Sequence, residues 1–257
     1  MKLEEQIRII SKIKKELRKR SASLLSLMIS GSDLYGFRSE DSDVDLRGTF
    51  IYETSKFLGF NKPKLTLELK IDDYDIVVHE IGRALSLAMD GNSNLLENIF
   101  SDQIYTVLDY LDLKNEIVLN KRGILNSYKG LALHNYKKFI MTGRKKTIKK
   151  YLYVFRGLLA GIYALETGKI EPNILILNKH FKNPYVKTLV KLKKEGKEKE
   201  DLPKHILDSG EIERVIEKLF KRIDSIYLKT IIGIPNVSDW ETLEKKLIKV
   251  RKSYFDT

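Results

Sequence analysis

Residues 29–50 read ISGSDLYGFRSEDSDVDLRGTF, and their strand–turn–strand pattern decides the architecture. The apolar run Leu24–Ile29 predicts a short buried strand, ended by Gly31 and Ser32. A polar, turn-rich segment follows, and Asp43-Val44-Asp45-Leu46 predicts a second strand. Strand side chains alternate between faces, so Asp43 and Asp45 are expected to point one way while Val44 and Leu46 enter the core. Two ionised carboxylates that close repel each other. A divalent cation relieves that repulsion, and hard oxygen ligands suit magnesium. Gly31 permits a sharp bend and close ligand approach, and Ser32 adds a hydroxyl. Exposed amides in such a turn can grip phosphate oxygens. The stretch therefore suits a metal-bound polyphosphate.

Outward from this stretch, residues 64–71 alternate apolar and polar and predict a third strand, LTLELKI. Asp72-Asp73 makes a tight turn, and Tyr74–Val78 returns as a fourth strand, giving a hairpin. Asp75 falls on the face opposite Ile76 and Val78, where a carboxylate could join Asp43 and Asp45, and His79 shares that face. Asp72 and Asp73 are rivals for this place, on a turn that holds side chains less firmly. Upstream, Leu3, Ile7, Ile10, Ile13 and Leu17 recur at helical spacing and predict an amphipathic helix over 3–20, with Lys12, Lys15, Arg18 and Lys19 on its other face. Downstream, helices are expected over 80–90 and 93–100, parted by Gly91-Asn92.

Beyond Asp102 the pattern is helical: 107–120, 124–141, 145–167, 184–195, 211–232 and 238–252. The charge run over 194–201, KEGKEKED, reads as an exposed linker. The expected fold class is α+β: a small mixed β-sheet domain over 1–105, then a helical C-terminal domain over 106–257, with a cleft between them. In the helix over 145–167, Ile148, Leu152, Phe155, Leu159 and Ile162 form the expected buried stripe. Lys149 and Arg156 share another face with Tyr153, flanked by Lys146 and Lys150. Such cations beside a phosphate cleft could neutralise a triphosphate. Trp240 is read as packing.

The chain has 257 residues, enough for a large core, and its 42% hydrophobic and 32% charged residues describe a globular protein. No apolar run approaches the roughly 18 residues of a membrane span, and the N-terminal helix lacks the apolar core of a signal peptide. A cytoplasmic location is expected. With no cysteine, disulfides and thiolate metal sites are excluded. The four histidines, His79, His134, His180 and His205, show no ligand spacing. A net charge of +12 favours anionic partners: nucleotide, nucleic acid or an acidic protein.

The pair Gly31-Ser32, followed after a polar loop by Asp43-x-Asp45, resembles the signature of the DNA polymerase beta-type nucleotidyltransferase superfamily. The fuller wording, Gly31-Ser32-x-x-Tyr35-Gly36 and Ser42-Asp43-x-Asp45-x-Arg47-Gly48, is similar to the RNA-ligase-associated polymerase branch, a group of predicted nucleotidyltransferases. Asn92-Ser93-Asn94-Leu95-Leu96-Glu97 resembles that branch's Asn-Pro-Asn-x-x-Glu segment, with Ser93 in the place of proline. The likeness covers roughly residues 29–100. It implies transfer of a nucleoside monophosphate from a nucleoside triphosphate, most readily ATP, to a hydroxyl. Asp43, Asp45 and, as third carboxylate, Asp75 would be catalytic and would hold two Mg2+ ions, with Mn2+ as a substitute. Gly31, Ser32, Ser42, Lys149, Lys150 and Arg156 would bind the nucleotide. An RNA 3′ end is the expected acceptor. The alternatives are an antitoxin-like enzyme that nucleotidylates protein, or a non-catalytic nucleotide- or RNA-binding protein.

Overall fold

Strand β1 (Ala22–Ile29) is buried on both faces and forms the inner spine of the sheet. A computed structural model describes residues 1–39, 42–142, 146–197, 200, 208–231 and 240–254. The register of β1 slips between Leu24 and Ser26, and this bulge sorts its side chains. Leu24 and Leu27 pack under the first helix, whereas Leu25 joins the core on the other side of the sheet. The polar Ser26 is tolerated between them because its hydroxyl hydrogen-bonds the Thr49 hydroxyl at 2.8 Å.

The sheet has five strands in the order β3 (Thr66–Ile71), β4 (Tyr74–Glu80), β2 (Asp45–Tyr52), β1, β5 (Tyr105–Thr106). Among the described residues only β2 and β4 run parallel, so the sheet is mixed. Helix α1 (Leu3–Arg18) covers one face through Ile9, Ile13 and Leu17. Leu3 and Ile7, expected in its buried stripe, are instead 70% and 59% exposed, because the buried line runs at four-residue spacing from Ile9. The second strand begins at Asp45 rather than Asp43. Ser30 N–H donates to the Asp45 carbonyl at 2.8 Å, and pairing with β1 starts only at Leu46.

Over the other face lie α2 (Gly31–Leu34), α3 (Ile81–Met89), α4 (Ser93–Phe100), α5 (Leu108–Lys114) and α6 (Lys121–Asn135). They are followed by α7 (Ile148–Thr167), α8 (Ile174–Phe181), α9 (Pro184–Leu192), α10 (Ser209–Ile231) and α11 (Trp240–Ser253). The segment 136–141 continues α6 as a π-helix. The expected helices thus form with shifted ends, while α8, the single-turn α2 and the two-residue β5 were not expected. Of the charge run over 194–201, Lys194, Glu195, Gly196 and Glu200 are exposed, and residues 198, 199 and 201 lie outside the described residues.

Helix α7 is the axle of the helical region. All five residues of its expected stripe are buried, and so are Tyr151, Val154, Gly157, Leu158 and Gly161. One hydrophobic cluster runs from Leu25 and Ile51 through α3 and α4 to α7 and α10. Helix α11 returns to the sheet: Thr54 N–H donates to the Tyr254 carbonyl at 3.0 Å, and Arg251 pairs with Glu80 at 2.8 Å. Trp240, read as packing, is 42% exposed.

Candidate active site

At the end of β1 the chain turns through Gly31, whose φ of +65° is the left-handed region that favours glycine. A side chain there would also overlap the Asp45 carboxylate, so the turn backbone lies directly against that group. Asp45 is the first residue of β2, and its Cα partner across the parallel pairing with β4 is Asp75. Two acidic residues from strands remote in sequence are thus neighbours in the sheet, and the carboxylate of Asp45 lies against the bent turn. Asp75 lies on the face opposite Ile76 and Val78, as the alternation predicts, since those two pack under α1.

Each carboxylate has a cation beside it. Arg47 Nη2 meets Asp45 Oδ1 at 3.2 Å, and Arg47 Nη1 donates to the Asp75 carbonyl at 3.3 Å. Lys70 Nζ meets Asp75 Oδ1 at 2.9 Å. The Lys70 pKa is raised chiefly by that hydrogen bond, and the charges of Asp75, Asp43 and Asp73 raise it further. Asp43 is exposed, ahead of the strand but within electrostatic reach of Lys70. Ser42 organises the approach to it: its hydroxyl hydrogen-bonds the Ser39 hydroxyl at 2.8 Å and accepts from Ser39 N–H at 3.2 Å.

The donor chemistry fits a hard divalent cation, being carboxylate oxygens on adjacent strands. Among the described residues, however, no three acidic or histidine side chains converge into a finished ligand group. Asp43, expected on the strand with Asp45, stands off it, while Asp45 and Asp75 are turned toward Arg47 and Lys70.

A pocket of about 440 Å³ opens beside this pair. Ser30, Gly31, Asp45, Arg47 and His79 line it from the sheet side, Leu87 from α3, Asn92, Asn94, Leu95 and Asn98 from the start and body of α4, and Tyr35 and Tyr153 close it. Asn92 caps α4 by accepting from Leu95 N–H at 3.2 Å, which fixes the polar face of that helix toward the pocket. Burial, then the neighbouring Arg47 and Arg83, hold the His79 pKa below its ordinary value. Its Nδ1 shares a hydrogen bond with Thr66 Oγ1 at 3.0 Å.

Of the residues expected to bind nucleotide, Gly31 lines the pocket and Ser32 adjoins it on α2. Lys149 and Lys150 lie on the first turn of α7 outside the lining, with Lys150 Nζ 3.7 Å from the Phe139 ring centre. Arg156 departs most from expectation. It is 1% exposed, its Nη1 meets Glu97 Oε1 at 2.6 Å, and its guanidinium carbon sits 3.8 Å from the Tyr35 ring centre. The reason is that α7 is buried nearly all round at that level, so a cation there must find its partner inside. Arg156 stands behind the pocket wall rather than in the cleft. Burial first, with the Glu97 charge adding and the Arg156 charge opposing, pushes the Tyr35 phenol up to about 12.

Tyr35, Arg47, Glu97, Asn94 and Asn98 carry no role expected from the sequence. All five sit in motifs already quoted or one residue beyond them, so the motif wording was the available signal.

A family model described as "RNA repair pathway DNA polymerase beta family" matches residues 6–231. The uncharacterized protein YcgL of Bacillus subtilis (strain 168) is 28% identical over 226 residues, which span 82% of this chain and 86% of that protein. Among solved structures, spectinomycin adenyltransferase AAD(9) from Enterococcus faecialis, with ATP and spectinomycin, is 17% identical. The match covers 86% of this chain and 98% of that one, at a TM-score of 0.45. A nucleotidyltransferase-like protein from Exiguobacterium sibiricum 255-15 is 14% identical, covering 98% and 80%, at a TM-score of 0.29. Likenesses of this degree fix no side-chain position.

Proposed function

Because this chain belongs to the RNA repair pathway DNA polymerase beta family, we propose that it transfers a nucleoside monophosphate, most readily from ATP, to a hydroxyl at an RNA 3′ end. The observation that carries this reading is the Asp45–Asp75 pairing against the Gly31 turn. Phosphoryl transfer asks a protein mainly for positioning and charge compensation. In this reading the Gly31 and Ser32 amides hold the β- and γ-phosphates, and the Ser39–Ser42 contact presents Asp43 to the reacting phosphate. The acceptor oxygen attacks the α-phosphorus, the bond from that phosphorus to the bridging oxygen breaks, and pyrophosphate leaves. The acceptor proton passes to an Asp75 carboxylate oxygen. Arg47 keeps the strand ends together, and Lys149 and Lys150, outside the pocket lining, add positive potential only at long range. Asp43, Asp45 and Asp75 would hold two magnesium ions, or manganese, which when bound neutralise triphosphate charge and lower the pKa of the acceptor hydroxyl. The sheet region through residue 105, the helical region beyond it and a cytoplasmic setting complete the proposal; no helix among the described residues is long and apolar enough to cross a membrane.

One observation favours a second acceptor class. On the far side of α2 lies another pocket of about 440 Å³, lined by Asp33, Asp102 and Glu171 with no lysine or arginine among the described residues of its lining. Burial raises the Glu171 pKa, and the Asp102 and Glu97 charges raise it further against a lowering hydrogen bond from Asn173 N–H. With Asp33 paired to Arg38 at 3.1 Å and Glu171 inclined to the neutral form, that surface gives a phosphate backbone little to hold and suits a hydroxyl on a protein or a small molecule.

The deciding experiment supplies each α-labelled triphosphate in turn, with magnesium, alongside total RNA, total protein and a small-molecule extract. Label on RNA supports the first reading, and label only on protein or small molecules supports the second. Asp45→Asn is expected to abolish transfer while the protein stays folded. If it keeps wild-type transfer, the carboxylate reading is wrong.

A further inference from the structure

The Glu97–Arg156 pair lies wholly inside the protein, where charge is expensive. Two apolar side chains of similar volume would fill this space at least as well, so packing alone does not account for the pair. A planar guanidinium does what neither an ammonium nor an aliphatic chain can: it stacks flat on a ring while a carboxylate holds its edge. Arg156 meets both kinds of partner, with Glu97 Oε1 2.6 Å from its Nη1 and the Tyr35 ring centre 3.8 Å from its guanidinium carbon.

Tyr35 is fixed from other directions as well. Its carbonyl accepts from Ile174 N–H at 3.1 Å. The following Gly36, at φ +79°, leaves no room for a side chain beside Asn173. The Tyr153 ring meets Tyr35 nearly edge-on at 6.1 Å. Tyr35 ends the single turn α2 that begins at Gly31, so a rigid ring stands one helical turn from the phosphate-gripping bend. On the same pocket, Asn94 and Asn98 are one turn apart on α4 and offer both donors and acceptors.

We propose that Arg156 is a positioning residue: held by Glu97, it fixes the Tyr35 ring as the wall against which the nucleoside of the bound triphosphate packs. This rests on the reading that the pocket takes a nucleoside triphosphate. It divides the ligand in two, with the phosphates on the Gly31 turn and the base on Tyr35, facing the amides of α4.

Titration calorimetry on the full chain with magnesium, comparing a non-hydrolysable ATP analogue with inorganic tripolyphosphate, separates these parts. Base–aromatic stacking contributes enough that Tyr35→Leu and Arg156→Lys should each weaken the analogue by about tenfold. Tripolyphosphate affinity should stay unchanged in both. The double variant should lose little more than either single one, because both remove the same wall. Glu97→Gln keeps the shape and an acceptor oxygen, so it tests the same hold on Arg156 should the lysine variant fail to fold, and it should move the same way. Equal loss of both ligands, or unaltered analogue affinity in the folded Tyr35 and Glu97 variants, overturns the proposal. Wild-type protein that binds neither ligand overturns the nucleotidyltransferase reading itself.

Discussion

Gly31 is held to glycine twice over, by a left-handed backbone and by the Asp45 carboxylate occupying the place of a side chain. The backbone penalty for alanine in that conformation is roughly 1–2 kcal/mol. The overlap with Asp45 adds to it and pushes aside a proposed metal ligand. Gly31→Ala should therefore lower stability by more than the roughly 1–2 kcal/mol of the backbone alone in urea denaturation, and abolish triphosphate binding by calorimetry. A second residue-scale prediction concerns acid. His79 has a folded pKa below the ordinary 6.5, because burial and nearby arginines disfavour its charged form. The unfolded chain therefore takes up this proton first. The stabilising contribution is present above pH 6.5 and is lost as pH falls through the lower folded value. His79→Gln should flatten that part of a plot of denaturation midpoint against pH, and an unchanged slope would count against it.

Among the elements, α7 shows how closely two helices can be seated. A side chain at Gly161 would crowd the Tyr128 side chain and Ile223, so α6, α7 and α10 meet through the bare backbone of α7 at this point. Alanine gains about 1 kcal/mol of helix propensity over glycine, whereas overpacking costs roughly 1–3 kcal/mol. The Ile223 δ-methyl can swing aside, but the Tyr128 Cβ and ring cannot, so the crowding should win. Gly161→Ala is expected to lower the thermal midpoint. Elements with a clear period were legible in the sequence: the hairpin expected over 64–78 forms as Thr66–Ile71 and Tyr74–Glu80, the face carrying Asp75 and His79 follows the alternation, and the α7 stripe follows the helical period. Helix α8 was not legible, because its opening run Ile174-Leu175-Ile176-Leu177 has no gap from which to tell a period. The Asp43 strand was misread because alternation cannot say where pairing stops. The partner of Arg156 was hidden for a different reason: Glu97 lies 59 residues away, and no local pattern encodes which buried cation meets which buried acid.

At the scale of the molecule, the last described helix closes on the first half of the chain. Glu80 is 2% exposed at its side chain and caps α3 through Gly82 N–H, and Arg251 compensates its charge. Burial raises the Glu80 pKa in spite of Arg251, so removing the cation leaves an acid that resists ionisation. Breaking a buried pair from one side costs roughly 3–5 kcal/mol, and Arg251→Met should fall near the lower bound because Arg251 keeps 18% exposure. The deficit should be full at pH 7 and narrow in acid, since a protonated Glu80 needs no cation; denaturation of both proteins at pH 7 and pH 5 reads this out. On the ribosome the chain emerges sheet first, with Asp45 and Asp75 already translated long before α7 and α11. Until Arg156 arrives, Glu97 has no partner and Tyr35 no backing, and until Arg251 arrives the root of α3 carries an unmatched acid. A product cut off before α7 therefore holds Asp45 and Asp75 with their own cations, Arg47 and Lys70, but lacks the backing of Tyr35 and the partner of Glu80.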